Sequence, residues 1–258
     1  MKNSKGQVTI FIIIAILIVI GTLAYFFLRS SMTGTNIPTH MEPVYANFLS
    51  CLEEATTTGA SVLNSQGGYI YLPEFEPGSS YMPFSSQLNF LGNPVPYWYY
   101  VSGNNMEKEQ IPTKKNMEDQ LGTFIEQKIN NCDFTPYYLE GFDISLTESK
   151  SKVTIKEDKI EVTLDTPLRI AKNDESAVVR THKITIYSKL GTLYDSAKKV
   201  YNKQQETLFL EEYGLDVLWS YAPVDGVEIT CSPLIWQADE VFDELQNALE
   251  ANTFALTN

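Results

Sequence analysis

The sequence is poor in the residues and motifs on which most enzymes depend. Only two of its 258 residues are histidines, His40 and His182. It contains no G-x-S-x-G, H-E-x-x-H, P-loop, G-x-G-x-x-G or D-x-D-x-D-G pattern, so the motifs of serine hydrolases, zinc peptidases, nucleotide-binding proteins and calcium-loop proteins are missing. His182 lies in an alternating apolar stretch, which favours a structural histidine over a catalytic base. We therefore expect no catalytic residues, no cofactor and no metal.

Cysteine is also scarce, and its three copies, Cys51, Cys132 and Cys231, lie far apart. No C-x-x-C pair is present, so a zinc site shared with His182 has no local pair of ligands, and a disulfide is the favoured interpretation. Cys51 and Cys132 each fall on the apolar face of a predicted helix. We expect these two to form the bridge and Cys231 to be left over.

Positive charge is sparse as well. Lys and Arg total 19 against 32 Asp and Glu, a net charge of −13. Three of the basic residues lie in the first 29 residues, which hold no acidic residue, so the rest of the chain carries 16 minus 32, or −16. Such a surface repels phosphate groups, so nucleic acid is not an expected partner. A solvated acidic exterior is favoured over a charge-specific binding site.

One long hydrophobic segment stands out near the N-terminus. Residues 8–28 carry no charge, and as a helix they would span about 30 Å, the thickness of the hydrocarbon core of a bilayer. The segment is longer than the apolar region of a cleaved secretory signal. We therefore expect residues 1–29 to form a retained signal anchor that crosses the membrane, followed by a linker over residues 30–41.

The distribution of basic residues predicts the orientation of this anchor. Lys2 and Lys5 precede it, whereas beyond Arg29 the next Lys or Arg is Lys108. By the positive-inside rule, the N-terminus lies in the cytoplasm and the C-terminal domain outside the cell. The sequence thus predicts a single-pass protein of the cell membrane.

The residues before the anchor resemble a known processing signal. Lys5 and Gly6, followed by Gln7 and an apolar helix, resemble the class III signal of archaeal type IV pilin-like proteins. The resemblance implies cleavage between Gly6 and Gln7 and a hydrophobic helix that packs into a filament. Phe11 stands where such pilins usually have Glu. More loosely, the anchor, QGGYIYLP (66–73) and EITCSPLIW resemble uncharacterised single-pass surface proteins of small-genome archaea.

The remaining chain has the pattern of an α+β ectodomain, divided into a helix- and aromatic-rich part over 42–135 and an α+β part over 136–258. Apolar residues at helical spacing predict helices over 42–64, 114–132 and 190–212, and a further helix from Ser232 and Pro233. The first of these helices contains Thr56-Thr57-Thr58-Gly59, where low helix propensity predicts a break.

Strands are predicted wherever apolar and polar residues alternate. Four consecutive stretches, FDISLT, KVTIKE, KIEVTLDT and VVRTHKITIYS, predict an antiparallel β-meander, and the helix over 190–212 is expected to cover its apolar face. Tyr69–Leu72 reads as a short strand, and LDVLWSY with GVEITC reads as a strand pair.

The segment from Tyr97 to Tyr100 is the candidate binding site. Tyr97, Trp98, Tyr99 and Tyr100 could present flat faces to a glycan or a peptide. The favoured alternative is a strand in which alternate rings are buried, because burial with a period of two requires no ligand. The surrounding segment, rich in proline, glycine and aromatic residues, is the expected contact surface in either case.

Two functions follow from these features. The favoured one is a membrane-anchored extracellular structural or interaction protein of pilin-like type, which self-associates or contacts other surface proteins. The second is a cell-surface module that binds a glycan or peptide through its aromatic residues. A more remote alternative is a transpeptidase that pairs His182 with Cys231, but Arg180 is the last arginine and is poorly placed to stabilise an oxyanion.

Overall fold

The computed structural model of the chain describes residues 37–221 and 237–257, and within them the protein has the predicted α+β class. Its helices are α1 (Glu42–Ser65), α2 (Lys114–Ile129), α3 (Thr135–Leu139), α4 (Leu190–Thr207), α5 (Phe209–Tyr221) and α6 (Ala238–Thr257). Its strands are β1 (Gln87–Phe90), β2 (Asn93–Pro96), β3 (Tyr99–Val101), β4 (Glu107–Glu109), β5 (Asp143–Leu146), β6 (Lys150–Ile155), β7 (Lys159–Lys172) and β8 (Glu175–Tyr187).

No helix within the described ranges is both long and apolar enough to cross a bilayer. The predicted anchor over residues 8–28 and the processing site at Gly6 and Gln7 lie outside the described residues.

The described chain divides into two compact units that interleave along the sequence. The first comprises residues 37–48, 133–148 and 166–180, and the second comprises residues 49–132, 149–165, 181–221 and 237–257. Helix α1 and strands β7 and β8 each contribute residues to both units.

In the first unit, the start of α1 is joined to the region around α3 by polar contacts over an apolar core. The Asn47 side chain donates to the carbonyl of Asp133 at 3.1 Å, and the Tyr137 hydroxyl donates to the carbonyl of Pro43 at 3.1 Å. Strand β5 pairs antiparallel with residues 168–171 of β7. The buried side chains of this unit include Met41, Val44, Phe48, Phe134, Ile144, Leu168 and Ile170.

In the second unit, α1 packs against α2, and a disulfide joins the two helices. Cys51 on α1 and Cys132, just beyond α2, have Cα atoms 6.0 Å apart, a normal separation for a disulfide. This is the pair predicted from the sequence. The predicted break in the first helix is wrong, because α1 continues through Thr56-Thr57-Thr58-Gly59. Thr56 is fully buried and its hydroxyl donates to the carbonyl of Leu52 at 2.7 Å.

Helix α2 also covers the outer edge of strand β6. Met117, Leu121, Ile125 and Ile129 on α2 are buried. On an adjacent face, the carboxylates of Glu118 and Glu126 accept hydrogen bonds from the backbone N–H groups of Ile155 at 2.9 Å and Ser151 at 2.6 Å. Side chains of a helix thus satisfy the donors that an edge strand leaves unpaired. The helix that covers this edge of β6 is therefore α2, whereas the sequence predicted a covering role, over the apolar face of the sheet, for the helix over 190–212.

The predicted meander differs from the observed strand order. Strand β6 pairs with residues 160–165 of β7, and β8 pairs with β7 across a two-residue turn at Asn173 and Asp174, as successive strands of a meander would. Strand β5, however, pairs with β7 and not with β6. β7 is 14 residues long, so it offers pairing positions to both β5 and β6. The predicted strand KIEVTLDT ends at Thr166, whereas β7 continues through Pro167 to Lys172.

The long helix predicted over 190–212 is two helices. Helix α4 ends at Thr207, Leu208 adopts a left-handed conformation with φ of 51°, and α5 begins at Phe209. The residues LDVLWSY, predicted as a strand, belong to α5. The other predicted strand, GVEITC, and the helix start at Ser232 and Pro233 lie outside the described residues, and α6 is described from Ala238 onward.

The predicted strand at Tyr69–Leu72 is absent from the described structure, where these residues form no ladder. Their backbone donors are satisfied by a side chain instead. The backbone N–H groups of Ile70 and Tyr71 both donate to Oε1 of Gln120 at 2.9 Å, and the Tyr69 hydroxyl donates to the carbonyl of Gln110 at 2.7 Å. One glutamine on α2 thus holds the segment in an irregular conformation.

Candidate functional site

The four aromatic residues at positions 97–100 do not form the predicted continuous strand. Strand β2 ends at Pro96 and β3 begins at Tyr99, so Tyr97 and Trp98 lie between two strands that belong to different two-stranded sheets. Gln110 holds this junction: its backbone N–H donates to the carbonyl of Trp98 at 2.8 Å, and its side-chain amide donates to the carbonyl of Tyr97 at 2.8 Å.

Trp98 is half-buried and packs against helix α4. Its indole N–H donates to the carbonyl of Gly67 at 2.9 Å. Gly67 has a φ of +63°, a left-handed conformation in which glycine is favoured. The ring centroid of Trp98 lies 6.0 Å from that of Tyr194 and 5.8 Å from that of Tyr201, within the range of favourable aromatic pairs. The polar atom and much of the ring are therefore engaged within the protein.

The tyrosines beside Trp98 are held by charged partners. The Tyr201 hydroxyl donates to Oε1 of Glu109 at 2.7 Å, and burial followed by this hydrogen bond raises the pKa of Tyr201. Burial also raises the pKa of Tyr194. The Lys114 ammonium lies 5.8 Å from the centroid of the Tyr194 ring and forms an ion pair with Asp195 at 2.6 Å.

Tyr100 is buried, with 8% of its surface exposed. It pairs with Lys108 across β3 and β4, and Lys108 forms an ion pair with Glu76 at 2.5 Å. Burial, and then the Glu76 carboxylate, raise the pKa of Tyr100. The hydrogen bond from Lys108 holds the pKa of Glu76 below its ordinary value. Tyr97 and Tyr99 are half-buried, so none of the four rings is a fully open platform.

A small apolar cavity of about 250 Å³ lies beside Trp98. Its lining residues are Leu63, Asn64, Gly67, Gly68, Trp98, Met117, Leu190, Leu193, Tyr194 and Ala197. The lining holds no histidine, cysteine or carboxylate, and its one ionisable side chain is Tyr194, whose pKa is raised by burial. The cavity can bind an apolar or aromatic group by burial, although its volume is below the roughly 300 Å³ at which pockets for small molecules usually begin.

A group of exposed apolar side chains lies earlier in the sequence than the predicted site. Five of them fall between residues 81 and 91, which we call the apolar segment: Tyr81, Phe84, Leu88, Phe90 and Leu91. Tyr81 is 91% exposed and Leu91 is 89% exposed. No residue between Glu76 and Glu107 carries a formal charge. This uncharged run is the sequence signal for the segment, and the denser aromatic cluster at positions 97–100 follows it.

The remaining candidate residues do not assemble into a site. His182 is fully buried in β8. Strict alternation along the strand would place Val178 on the same face as His182, but Val178 is 52% exposed, because Arg180 and Thr181 are both exposed and shift the alternation by one residue. In the ranges described, no group of three His, Cys, Asp or Glu residues could hold a metal ion. Cys231, the nucleophile of the transpeptidase hypothesis, lies outside those ranges.

In comparisons with known proteins, the chain matches no protein-family model, no curated protein and no solved structure.

Proposed function

We propose that this chain is a membrane-anchored extracellular protein with a structural or interaction role, whose ectodomain contacts other surface proteins through the apolar segment over residues 81–91. The anchor is the hydrophobic run over residues 8–28. The observation that carries the proposal is the exposure of five large apolar side chains within the apolar segment.

This exposure supports a contact surface because it is concentrated in one short segment. Single apolar side chains on a protein surface are ordinary, but closely spaced ones commonly mark interaction sites. The segment lies within the uncharged run between Glu76 and Glu107, while the residues after Arg29 carry a net charge of −16 in total. Another acidic protein can approach an uncharged segment with less electrostatic repulsion than it would meet elsewhere.

The disulfide between Cys51 and Cys132 supports the extracellular location. Disulfides persist in oxidising environments and are rare in most reducing cytoplasms. The bridge closes a span of 81 residues, which suits a structural role. The resemblance of Lys5, Gly6 and Gln7 to a pilin-like signal adds a specific form of the proposal, in which cleavage after Gly6 precedes assembly into a filament.

Alkaline extraction of membranes tests the anchor. The full chain should stay in the membrane pellet, and a chain that begins at residue 30 should appear in the soluble fraction with its Cys51–Cys132 disulfide intact. Protease added to the extracellular side should digest the full chain down to its anchor. Release of the full chain by alkali, or protection of the folded domain from external protease, would contradict the proposal.

The cavity beside Trp98 supports the second candidate, a module that binds a glycan or peptide. Tryptophan fluorescence titrated with a panel of oligosaccharides and aromatic peptides would give a saturable change for a ligand that enters the cavity. Trp98→Ala should abolish the change, and Trp98→Phe, which keeps an apolar ring, should retain part of the binding in a direct assay. An unfolded Trp98→Ala variant would instead show that the half-buried ring is needed for packing against α4.

A further inference from the structure

The hairpin of β1 and β2 has two outer edges with different chemistry. The register pairs Gln87 with Pro96 and Asn89 with Pro94. In an antiparallel ladder, residues alternate between those whose backbone groups face the partner strand and those whose groups face away. Proline has no N–H to donate, and Tyr97 donates its N–H to the carbonyl of Ser86 at 3.1 Å. Both observations place the backbone groups of Pro94 and Pro96 on the outer side of β2.

The same alternation leaves an open edge on β1. Gln87 and Asn89, opposite the two prolines, direct their backbone groups away from β2. The carbonyl of Gln87 accepts a hydrogen bond from the Ser85 hydroxyl at 2.7 Å, and the Gln87 N–H donates to the same hydroxyl at 3.4 Å, so the open part of this edge is at Asn89. The outward backbone N–H and C=O of Asn89 have no hydrogen-bonding partner among the residues that the structure describes. Asn89 is exposed, and so are its neighbours Leu88 and Phe90.

Other short strands of this unit protect their edges. Carboxylates of Glu118 and Glu126 cover β6. Strand β4 consists of the charged residues Glu107, Lys108 and Glu109, and charged side chains discourage strand addition. Prolines block β2, since they remove the N–H groups that a new strand would need. β1 has neither charge nor proline, and it exposes apolar side chains, so it combines the features that favour strand addition.

We propose that β1 pairs with β1 of a second copy of this chain, antiparallel and about a two-fold axis through Asn89, forming a four-stranded sheet across two ectodomains. In this register the backbone groups of the two Asn89 residues bond to each other. Leu88 of each copy lies opposite Phe90 of the other, so the edge is self-complementary in its apolar side chains.

A second copy suits this edge better than a charged partner does. The hairpin and its flanks are uncharged from Pro77 to Met106. Two acidic ectodomains can therefore meet here without negative charges facing each other at the contact. Because β1 has only four residues, the pairing is weak in solution. Two copies held in one membrane have a high effective concentration, which makes a weak contact sufficient. The inference therefore rests on the proposed membrane anchor.

Cysteine cross-linking in the full chain, reconstituted into phosphatidylcholine vesicles, tests the pairing. Both variants carry Cys231→Ser, so that a single introduced thiol lies outside the Cys51–Cys132 disulfide. Two Asn89→Cys residues would have Cα atoms about 5.5 Å apart, a distance that a disulfide can bridge. Asn93→Cys, on the other strand of the same hairpin, is the matched control. Mild oxidation should give a covalent dimer several-fold more abundant for Asn89→Cys than for Asn93→Cys.

The side-chain register gives a second, independent test in the Asn89→Cys background. Leu88→Lys places a charge opposite Phe90 and should reduce the dimer to the level of the control. Adding Phe90→Glu to Leu88→Lys should restore it, because each lysine then faces a glutamate. Both positions are exposed, so the variants should stay folded, which retention of the native disulfide would verify.

Equal cross-linking of Asn89→Cys and Asn93→Cys would overturn the pairing, and failure of the double variant to restore the dimer would overturn its register. Either result, obtained with a chain that still resists alkaline extraction, leaves the proposed membrane anchor standing. Alkaline release of the full chain is a separate outcome, which removes the proposed function itself.

Discussion

Glu76 connects a loop of the second unit to Lys108 and Tyr100 through hydrogen bonds. Its carboxylate accepts a hydrogen bond from Lys108 and lies against buried Tyr100. A buried tyrosine that stays protonated and a carboxylate that stays charged form a compatible pair. The backbone N–H of Glu76 donates to the Ser86 hydroxyl at 2.9 Å, so the same residue closes the loop that leads into the apolar segment.

This arrangement predicts a stability that depends on pH. The pKa of Glu76 is lowered in the folded state, so its contribution is fully present above the pKa of the unfolded chain and is lost as the pH falls through the folded pKa. Glu76→Gln should therefore lower the free energy of unfolding at pH 7, and the difference from the wild type should shrink between about pH 5 and pH 3. Denaturant unfolding at several pH values measures this.

Glu53→Gln provides the matched control, because it removes an exposed carboxylate on α1. A difference between Glu76→Gln and wild type that stays constant down to pH 3 would contradict a stabilising role of the Glu76 charge.

Among the elements, the start of helix α4 is packed most closely against a turn. The backbone N–H of Ser188 donates to the carbonyl of Asp158 at 3.0 Å, and the Thr192 hydroxyl donates to the carbonyl of Glu157 at 2.8 Å. A Cβ atom added to Gly191 would collide with the carbonyl oxygen of Lys156. The docking of α4 on the turn between β6 and β7 thus requires a residue without a side chain at position 191.

We expect Gly191→Ala to lower the free energy of unfolding by about 2 to 3 kcal/mol, because backbone atoms must move to accept the added carbon. Gly214→Ala on α5 is the control. The nearest atom to its added Cβ lies 3.8 Å away, so the variant should gain up to about 1 kcal/mol from higher helix propensity. Thermal unfolding of both variants measures the effect, and a neutral Gly191→Ala would contradict the close packing.

The boundary between α4 and α5 is a second test at this scale. Leu208 has a left-handed backbone and a half-exposed side chain. Leu208→Gly should raise the stability by about 0.5 kcal/mol, since glycine avoids most of the cost of this conformation. Leu193→Gly, also exposed but inside α4, should lower it by about 1 kcal/mol. Loss of stability by both variants to the same extent would contradict the left-handed boundary.

The elements also show where sequence patterns are informative. Helices α1 and α2 and the strands β5 to β8 follow apolar periodicity, because each buries one face of a regular element. The break at Leu208 could not be predicted, since leucine is a poor residue for a left-handed boundary and fits the apolar spacing of a continuous helix. Tyr69–Leu72 has strand composition, but Gln120, which lies far away in sequence, satisfies its backbone donors.

The candidate site was predicted only in its general location. The Pro-, Gly- and aromatic-rich segment was identified from composition, but the pattern did not tell which rings would find partners. Trp98 packs against Tyr194 and Tyr201 on α4, a long-range contact that local periodicity does not encode. Tyr81 and Phe84 are not covered by other side chains to a comparable extent, and they remain exposed.

At the scale of the whole molecule, the disulfide links the first helix to the end of the second across 81 residues. Cys51→Ser with Cys132→Ser should lower the free energy of unfolding by about 4 kcal/mol, because the unfolded chain gains the freedom that the closed loop had removed. Unfolding of the double variant, compared with the wild type under oxidising and reducing conditions, measures the loss. Equal stability of variant and oxidised wild type would contradict a structural role for the bridge.

The proposed anchor and the apolar segment would have a common consequence for the whole protein. A chain held by residues 8–28 would present the proposed ectodomain at high local concentration in the plane of a membrane, and weak contacts between uncharged segments would then suffice for association. Retention of the hydrophobic segment is thus central to the proposed function.

The most direct test is the intact mass and N-terminal sequence of the protein recovered from its native membrane. We expect a chain that begins at Met1, Lys2 or Gln7 and still contains residues 8–28, with a mass reduced by the two hydrogens of the Cys51–Cys132 disulfide. A start at Gln7 would indicate pilin-like processing and a filament subunit, and an uncut N-terminus would indicate a permanent anchor. A mature chain that begins beyond residue 28 would contradict the account, because the segment proposed to hold the protein in the membrane would have been removed.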